Sequence, residues 1–380
     1  MVTSRHGQHG LGRLGLTRRR LVASGSVALA ATAMPGLGRH AASLAAAQDN
    51  QVIMQVGGGA WEAAQDVAYF QPFQEETGIE VVKVPPADIG QLRAMVETGN
   101  VTFDCDSGAG ASSVYTFAEE GLLEPIDYSY FDQETLDGFA PEGKHEYGVA
   151  SLFYSVVLGI NTDTFPEGPT TWAEFWDRDA FPGPRSLGTG QDGGQGTWEI
   201  ALMADGVAVD ELYPIDFERA LASLDRIRDD IVEWWDIGGL PAQLLTDGQV
   251  DLTSAWNGRM QTLIDEGLPV AINWNQGILQ WDLQWVPKGA PRPENAMKLL
   301  AFMSRADRQA VFAENIAYAP ANTLAYEFIP EERAAILPTA PALMEQQFLQ
   351  DYAFWNSTDE ASGRKMIDVA AEHWNTWLLG

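Results

Sequence analysis

Aromatic residues recur in this chain where a strand pattern gives way to a helix pattern. Trp61 follows the turn Gly57-Gly58-Gly59, Trp256 closes an apolar run and precedes Asn257-Gly258, and Trp281-Asp282 lies inside the extended stretch Gly277 to Val286. Aromatic faces attract cations and clamp flat or aliphatic ligands, while a neighbouring carboxylate fixes an ammonium group. For any one tryptophan the competing role is core packing. Arg259, three residues after Trp256, falls in the first turn of a helix, where it either faces the same cleft and grips a carboxylate bidentately or sits on the surface. Two Gly/Ser-rich loops, Ser107 to Ser113 and Gly188 to Gly196, offer backbone donors, though such composition alone does not make an anion site.

Other chemistry is excluded by count. Of five histidines, three (His6, His9, His40) sit in the N-terminal segment, leaving His145 and His373, and the latter falls on the apolar face of the last helix as a core residue. A histidine-based triad or a multi-histidine metal site is thus nearly excluded, and no cofactor or metal is expected. The single cysteine, Cys105, lies in an expected strand and reads as a small buried hydrophobe. With 53 Asp and Glu against 23 Lys and Arg, a formal charge of −30, the chain lacks the basic stripe that binding to nucleic acid needs. Its 13 Trp, 16 Phe and 10 Tyr argue equally against disorder. A carboxylate-dependent secreted enzyme acting on a small amine or sugar is the alternative from another class.

Length positions these residues: 380 residues exceed one ordinary lobe. The first half alternates strand and helix, with strands at 51–56, 79–84 and 101–105 and helices at 61–77, 89–98 and 112–120, which implies a mostly parallel sheet flanked by helices. Residues 147–161 form one long β-branched and aromatic run that carries the chain to a second lobe. There Asp216 caps a helix with apolar face Phe217, Ala220, Leu221, Leu224, Ile227 and Ile231. A helix near 241–246, a strand at 250–256 and a helix ending at Gly267 follow. Residues 277–286 make the return crossing, before helices at 294–304, 307–314 and 362–379. Two α/β lobes joined by extended strands form a hinged clamshell, with ligand in the crevice facing the carboxyl ends of the strands.

The first 47 residues read as a targeting segment. Arg5, Arg13, Arg18, Arg19 and Arg20 precede the weakly apolar run Leu21 to Leu37, and Ala45-Ala46-Ala47 supplies a cleavage site. The run is broken by Gly25, Pro35 and Gly36, which makes it a poor membrane span. Thr17-Arg18-Arg19-Arg20-Leu21-Val22 looks like a twin-arginine signal, a route taken by folded cargo. No cysteine directly follows the apolar run to take a lipid, so the expected product is a soluble periplasmic protein and not a lipoprotein. Removing a segment with six arginines and no acid leaves a formal charge near −36, which suits a solvated, salt-adapted surface or steering of a cationic ligand.

From about Val52 to Leu379 the sequence resembles the periplasmic solute-binding proteins of ABC importers, in particular the spermidine/putrescine-binding branch. The resemblance rests on Phe73-Gln74-Glu75-Glu76-Thr77-Gly78-Ile79, Glu120-Gly121-Leu122-Leu123-Glu124-Pro125-Ile126-Asp127, Ala255-Trp256-Asn257-Gly258, Gly277-Ile278-Leu279-Gln280-Trp281-Asp282 and Val286-Pro287-Lys288-Gly289-Ala290-Pro291. It implies a two-lobed α/β periplasmic-binding-protein clamshell, with lobe 1 over 48–155 and 283–328 and lobe 2 over 156–282 and 329–380. It also implies a monomer that delivers a small amine solute to ABC permease subunits. The implied ligand positions are Trp61, Gly110, Ser112, Trp256, Asp282, Tyr318 and Asn356. Where spermidine binders of the family carry a second-lobe Asp and Glu, this chain has the glycine-rich run Asp192 to Gly196, keeping at most Asp192. Asp282 together with Arg259 would instead suit a zwitterion such as an ω-amino acid, leaving polyamine and amino-carboxylate both open.

Overall fold

The computed structural model describes residues 50–139, 143–191 and 193–380; the expected export segment over 1–47 and Asp192 lie outside the described residues. Among the described residues eleven strands, β1 (Gln51–Gln55), β2 (Glu80–Val84), β3 (Cys105–Gly110), β4 (Lys144–His145), β5 (Gly148–Asn161), β6 (Arg185–Gly188), β7 (Ile231–Trp235), β8 (Leu252–Trp256), β9 (Val270–Trp285), β10 (Ala319–Pro320) and β11 (Gln347–Leu349), join in one sheet. The main path runs β2-β1-β3-β9-β5-β8-β6-β7. Strands β2, β1 and β3 are mutually parallel, as are β8, β6 and β7. Between these wings β5 and β9 run antiparallel through both halves. The fold is thus the expected α/β periplasmic-binding-protein architecture, with mixed pairing where the two long strands cross.

Separate cores sit under the wings. One gathers Val52 and Met54 of β1, Phe73, and Leu299, Met303 and Phe312 from the helices Pro293–Met303 and Ala306–Asn315. The other gathers Leu187, Trp198, Leu224, Trp355 and Trp374. Trp256 packs against both. Between Val156 and Leu158 the register slips, because β9 loops out 274–277, where Gln276 adopts φ 62° and its side-chain and backbone oxygens accept from the backbone and indole N–H groups of Trp172.

The structure departs from the sequence reading at several places. The third strand occupies 105–110 and not 101–105: the buried Asp104 carboxylate accepts the Ile53 N–H (2.7 Å), and the ladder continues through glycines that carry no apolar pattern. The Asp216-capped helix ends at Asp225, so Ile227 lies in a turn and Ile231 opens β7. The last helix begins at Met366. His373 is only partly buried, stacking on Phe217 at 4.9 Å. Cys105 is fully buried and its thiol pKa is pushed up by burial.

Candidate functional site

A cavity of about 320 Å³ opens where the parallel strands end. The segment after every one of them reaches its wall: Gly57 after β1, Pro86 after β2, Gly110 at the end of β3, Gln195 after β6, Asp236 after β7 and Trp256 closing β8. Backbone groups at such ends are unpaired and helices begin there, so side chains from separate segments converge. Asp282, on β9 opposite Gly110 and Leu152, forms the wall between the halves.

The Trp-Asn-Gly-Arg run shows how local sequence builds the site. Trp256 is the N-cap of helix Asn257–Asp265. Asn257 pins that helix end, accepting the Ser155 N–H (2.9 Å) and donating to the Ala317 carbonyl (2.6 Å). A Cβ on Gly258 would lie 2.5 Å from the Tyr318 ring, so only glycine lets this ring sit against the helix. Gly258→Ala should therefore force Tyr318 aside at a cost of about 1–3 kcal/mol; a lower melting temperature with weakened ligand binding is the expected result, and unchanged values would disprove it. Trp256 stands edge-on to Tyr154 (5.8 Å) and Trp235 (5.6 Å), and its buried Nε1 has no partner.

Arg259 turns into the cleft. Its Nη1 lies 3.4 Å from the position a Cβ would take on Gly59, a residue at φ 72°, so the guanidinium reaches across to the turn after β1. Its Nε is buried without a partner, and no carboxylate among the described residues pairs with it. Burial pushes the Tyr318 hydroxyl up to about 12, against the opposing pull of the Arg259 guanidinium and with a further push from Asp282. Trp61 is buried beside Tyr318 (5.9 Å, edge-on), its Nε1 3.4 Å from Ser107 Oγ.

Asp282 is half-buried, and no cation among the described residues pairs with it. Burial pushes its pKa up to about 7, the Tyr154 hydroxyl acts to hold it down, and the neighbouring Asp106 carboxylate pushes it further up. Asp106 is likewise pushed up to about 7 by burial, against the stabilising Gly108 N–H (2.9 Å). The Gln55 amide, oriented to satisfy both its ends, donates to Asp106 (3.2 Å) and accepts from Ala87 (2.9 Å). Gly108, at φ 144°, separates the two acids; a Cβ there would sit 3.4 Å from Asp282 Oδ2.

Seven of the eight residues singled out in the sequence, Trp61, Gly110, Ser112, Trp256, Arg259, Asp282 and Tyr318, line this one cavity. Asn356 does not. It is the last residue of helix Tyr352–Asn356, which presents Tyr352 and Trp355 to the cavity; one step on, about 100° around the axis, Asn356 faces a surface depression beside Tyr115 and Tyr147. Its Nδ2 donates to the Tyr352 carbonyl and its own carbonyl accepts from Lys365. Sequence reading misses Tyr154, Gln195, Gln350, Tyr352 and Trp355. Strand alternation in β5 carries a signal for Tyr154, which shares a face with Leu152 opposite Asp282. The segment 347–356 carries none, since its side chains reach the site only through a parallel pairing of β11 with β9. Among the described residues no three His, Cys, Asp or Glu side chains group as a metal site, and no helix is long and apolar enough to cross a membrane.

Residues 68–343 match the family model of the bacterial extracellular solute-binding proteins. The chain is 34% identical over 320 residues to a gamma-aminobutyric acid-binding protein of Pseudomonas aeruginosa, covering 83% of this chain and 89% of that one. It is 24% identical over 364 residues to the spermidine/putrescine-binding periplasmic protein of Escherichia coli, covering 92% and 97%. A solved structure described as the Atu4243-GABA receptor superposes with a TM-score of 0.74 at 34% identity, covering 87% of this chain and 97% of that one. With a cleft at the strand ends, charged and aromatic groups on its walls and these likenesses, the chain belongs to the bacterial extracellular solute-binding proteins, the non-enzymatic substrate-binding components of ABC transporters.

Proposed function

We propose that the protein captures an ω-amino acid of the γ-aminobutyrate type between two lobes, 48–155 with 283–328 and 156–282 with 329–380, and hands it to a membrane permease. One observation carries the reading: a guanidinium and a carboxylate, each without an opposite charge among the described residues, line the same cavity. A zwitterion satisfies both, its carboxylate on Arg259 and its ammonium on Asp282, and enters as a neutral unit. Tyr154, Trp61, Trp256 and Tyr318 supply walls for the methylenes. A polycation would instead bury charge beside Arg259. The likeness at 34% to a gamma-aminobutyric acid binder supports the zwitterion, and the 24% likeness to spermidine/putrescine binders keeps the amine end in common. Export by the twin-arginine pattern of the first 47 residues and release into the periplasm complete the proposal.

A thermal-shift screen of γ-aminobutyrate, putrescine, spermidine and common amino acids tests this, because a ligand that binds only the folded state raises the melting temperature. The expected hit is γ-aminobutyrate or a near homologue, lost in Arg259→Ala. A shift with spermidine that Arg259→Ala leaves intact would retire the zwitterion.

A further inference from the structure

Behind the cavity wall formed by Gln350 and Trp355 lies a carboxyl group that lines no part of the cavity itself. Glu199, in helix Thr197–Ala204, is fully buried. Its Oε1 accepts from the Tyr213 hydroxyl (2.7 Å), Trp355 Nε1 (2.9 Å) and Gln350 Nε2 (3.0 Å). Its Oε2 is buried with no partner. Indole and carboxamide N–H groups can only donate, so an acceptor is required at Oε1. Of the three donors, Gln350 and Trp355 line the cavity and Tyr213 does not.

The same hydrogen bonds fix the wall in other directions. Gln350 also donates to the Gly193 carbonyl (2.8 Å) and accepts from Gln280 (2.6 Å), two residues before Asp282 on β9. Gly193 packs so closely on the Trp355 indole that a Cβ would come within 2.8 Å of the ring. Trp355 is thereby gripped across its face by Gly193 and at its edge by Glu199, and Gln350 is oriented at both ends of its amide.

We propose that Glu199 is a positioning residue: its single accepting oxygen orients Trp355 and Gln350, and so shapes the cavity wall, without touching the ligand. The affinity arm of the test rests on the proposed γ-aminobutyrate binding; the spectroscopic arm does not. Three variants separate orientation from bulk stability. Glu199→Gln keeps an accepting oxygen, Glu199→Leu keeps volume without one, and Tyr213→Phe removes the donor that stands away from the cavity. Each is titrated with γ-aminobutyrate, and the indole N–H resonance of Trp355, assigned by its loss in Trp355→Phe, is followed in 15N-labelled protein.

Glu199→Leu should weaken binding about tenfold, in line with losing hydrogen bonds that hold two wall residues, and move the Trp355 resonance upfield. Glu199→Gln should restore both. Tyr213→Phe should lower the melting temperature while leaving affinity within about threefold. An unmoved Trp355 resonance in Glu199→Leu, or a loss of affinity in Tyr213→Phe as large as in Glu199→Leu, would overturn the proposal. Glu199→Met stands in should the leucine variant not fold. If the parent takes up no γ-aminobutyrate the ligand reading fails, and the resonance alone decides the role of Glu199.

Discussion

Asp282→Asn is expected to lower affinity for γ-aminobutyrate by about 30-fold or more and yet make the empty protein harder to melt. The loss follows from leaving an ammonium in a closed cleft without its anion, since truncating one partner of a buried charge pair costs about 2–5 kcal/mol. Trp256→Phe should cost less, because part of the aromatic face remains. The gain in stability has the opposite origin. Folding raises the Asp282 pKa from an unfolded value of about 3.9 to about 7, chiefly by burial, so the empty fold favours the protonated acid. That preference costs nothing below the unfolded pKa, grows as pH rises between the two values and is complete above about 7. At pH 8 the neutral amide removes a penalty on the order of 2 kcal/mol after screening by cleft water. Calorimetric titration and melting of the unliganded protein check the two halves independently. If Asp282→Asn and Trp256→Phe both bind as the parent does, the ligand sits elsewhere.

Affinity should also fall steeply in acid. A ligand ammonium needs the Asp282 carboxylate, and with a free-state pKa of about 7 that form shrinks about tenfold for each pH unit below it. From pH 8 to pH 5 the dissociation constant is therefore expected to rise by about two orders of magnitude, while binding near pH 6.5 releases a proton. The groups facing Asp282 set the midpoint. Tyr154 donates to the carboxylate and lowers it, whereas Asp106, across Gly108, raises it. Titrations in buffers of different ionisation enthalpy would report the proton, and Asp282→Asn should flatten the profile. A parent affinity constant from pH 5 to pH 8 would show that the carboxylate does not meet the ammonium.

The parts of this architecture legible in the sequence are those with local causes. The two crossing strands announce themselves as apolar runs too long for a loop, and β5 and β9 extend over 14 and 16 residues. The helix at 89–98 begins at Asp88, whose side chain accepts from Gln91 N–H as an N-cap should, and ends at Gly99 in the left-handed region. Strand β3 was illegible because Gly108 and Gly110 give it no alternating pattern. Strands β6 and β7 carry little local signal for a related reason: β6 is only four residues, and Trp235 of β7 packs edge-on to Trp256, some twenty positions later. Within the site, Trp61, Trp256 and Asp282 stand at turns or crossings that sequence can mark, whereas Trp355 enters behind the pairing of β11 with β9 and hydrogen-bonds a carboxyl group more than 150 residues away.

The core beneath β1 also has an order in time. Val52, Met54 and Phe73 emerge early in synthesis, but Leu299, Met303 and Phe312, which close that core, come from helices some 220 to 260 residues later. The second partner of β3, beside the early β1, is equally late, for β9 ends at Trp285, and Arg292 then locks the return by donating to the buried Asp104 (2.9 Å). Synthesis from the N-terminus thus exposes a half-built apolar surface and an unpaired strand edge for most of the chain's passage through the ribosome. Distant closure of this kind slows folding and leaves nascent chains prone to association. A chain cut anywhere before about Tyr318 would lack part of its first core and one wall of its cleft together, and the wall of Gln350, Tyr352 and Trp355 comes later still, so the first core closes before the ability to bind is complete.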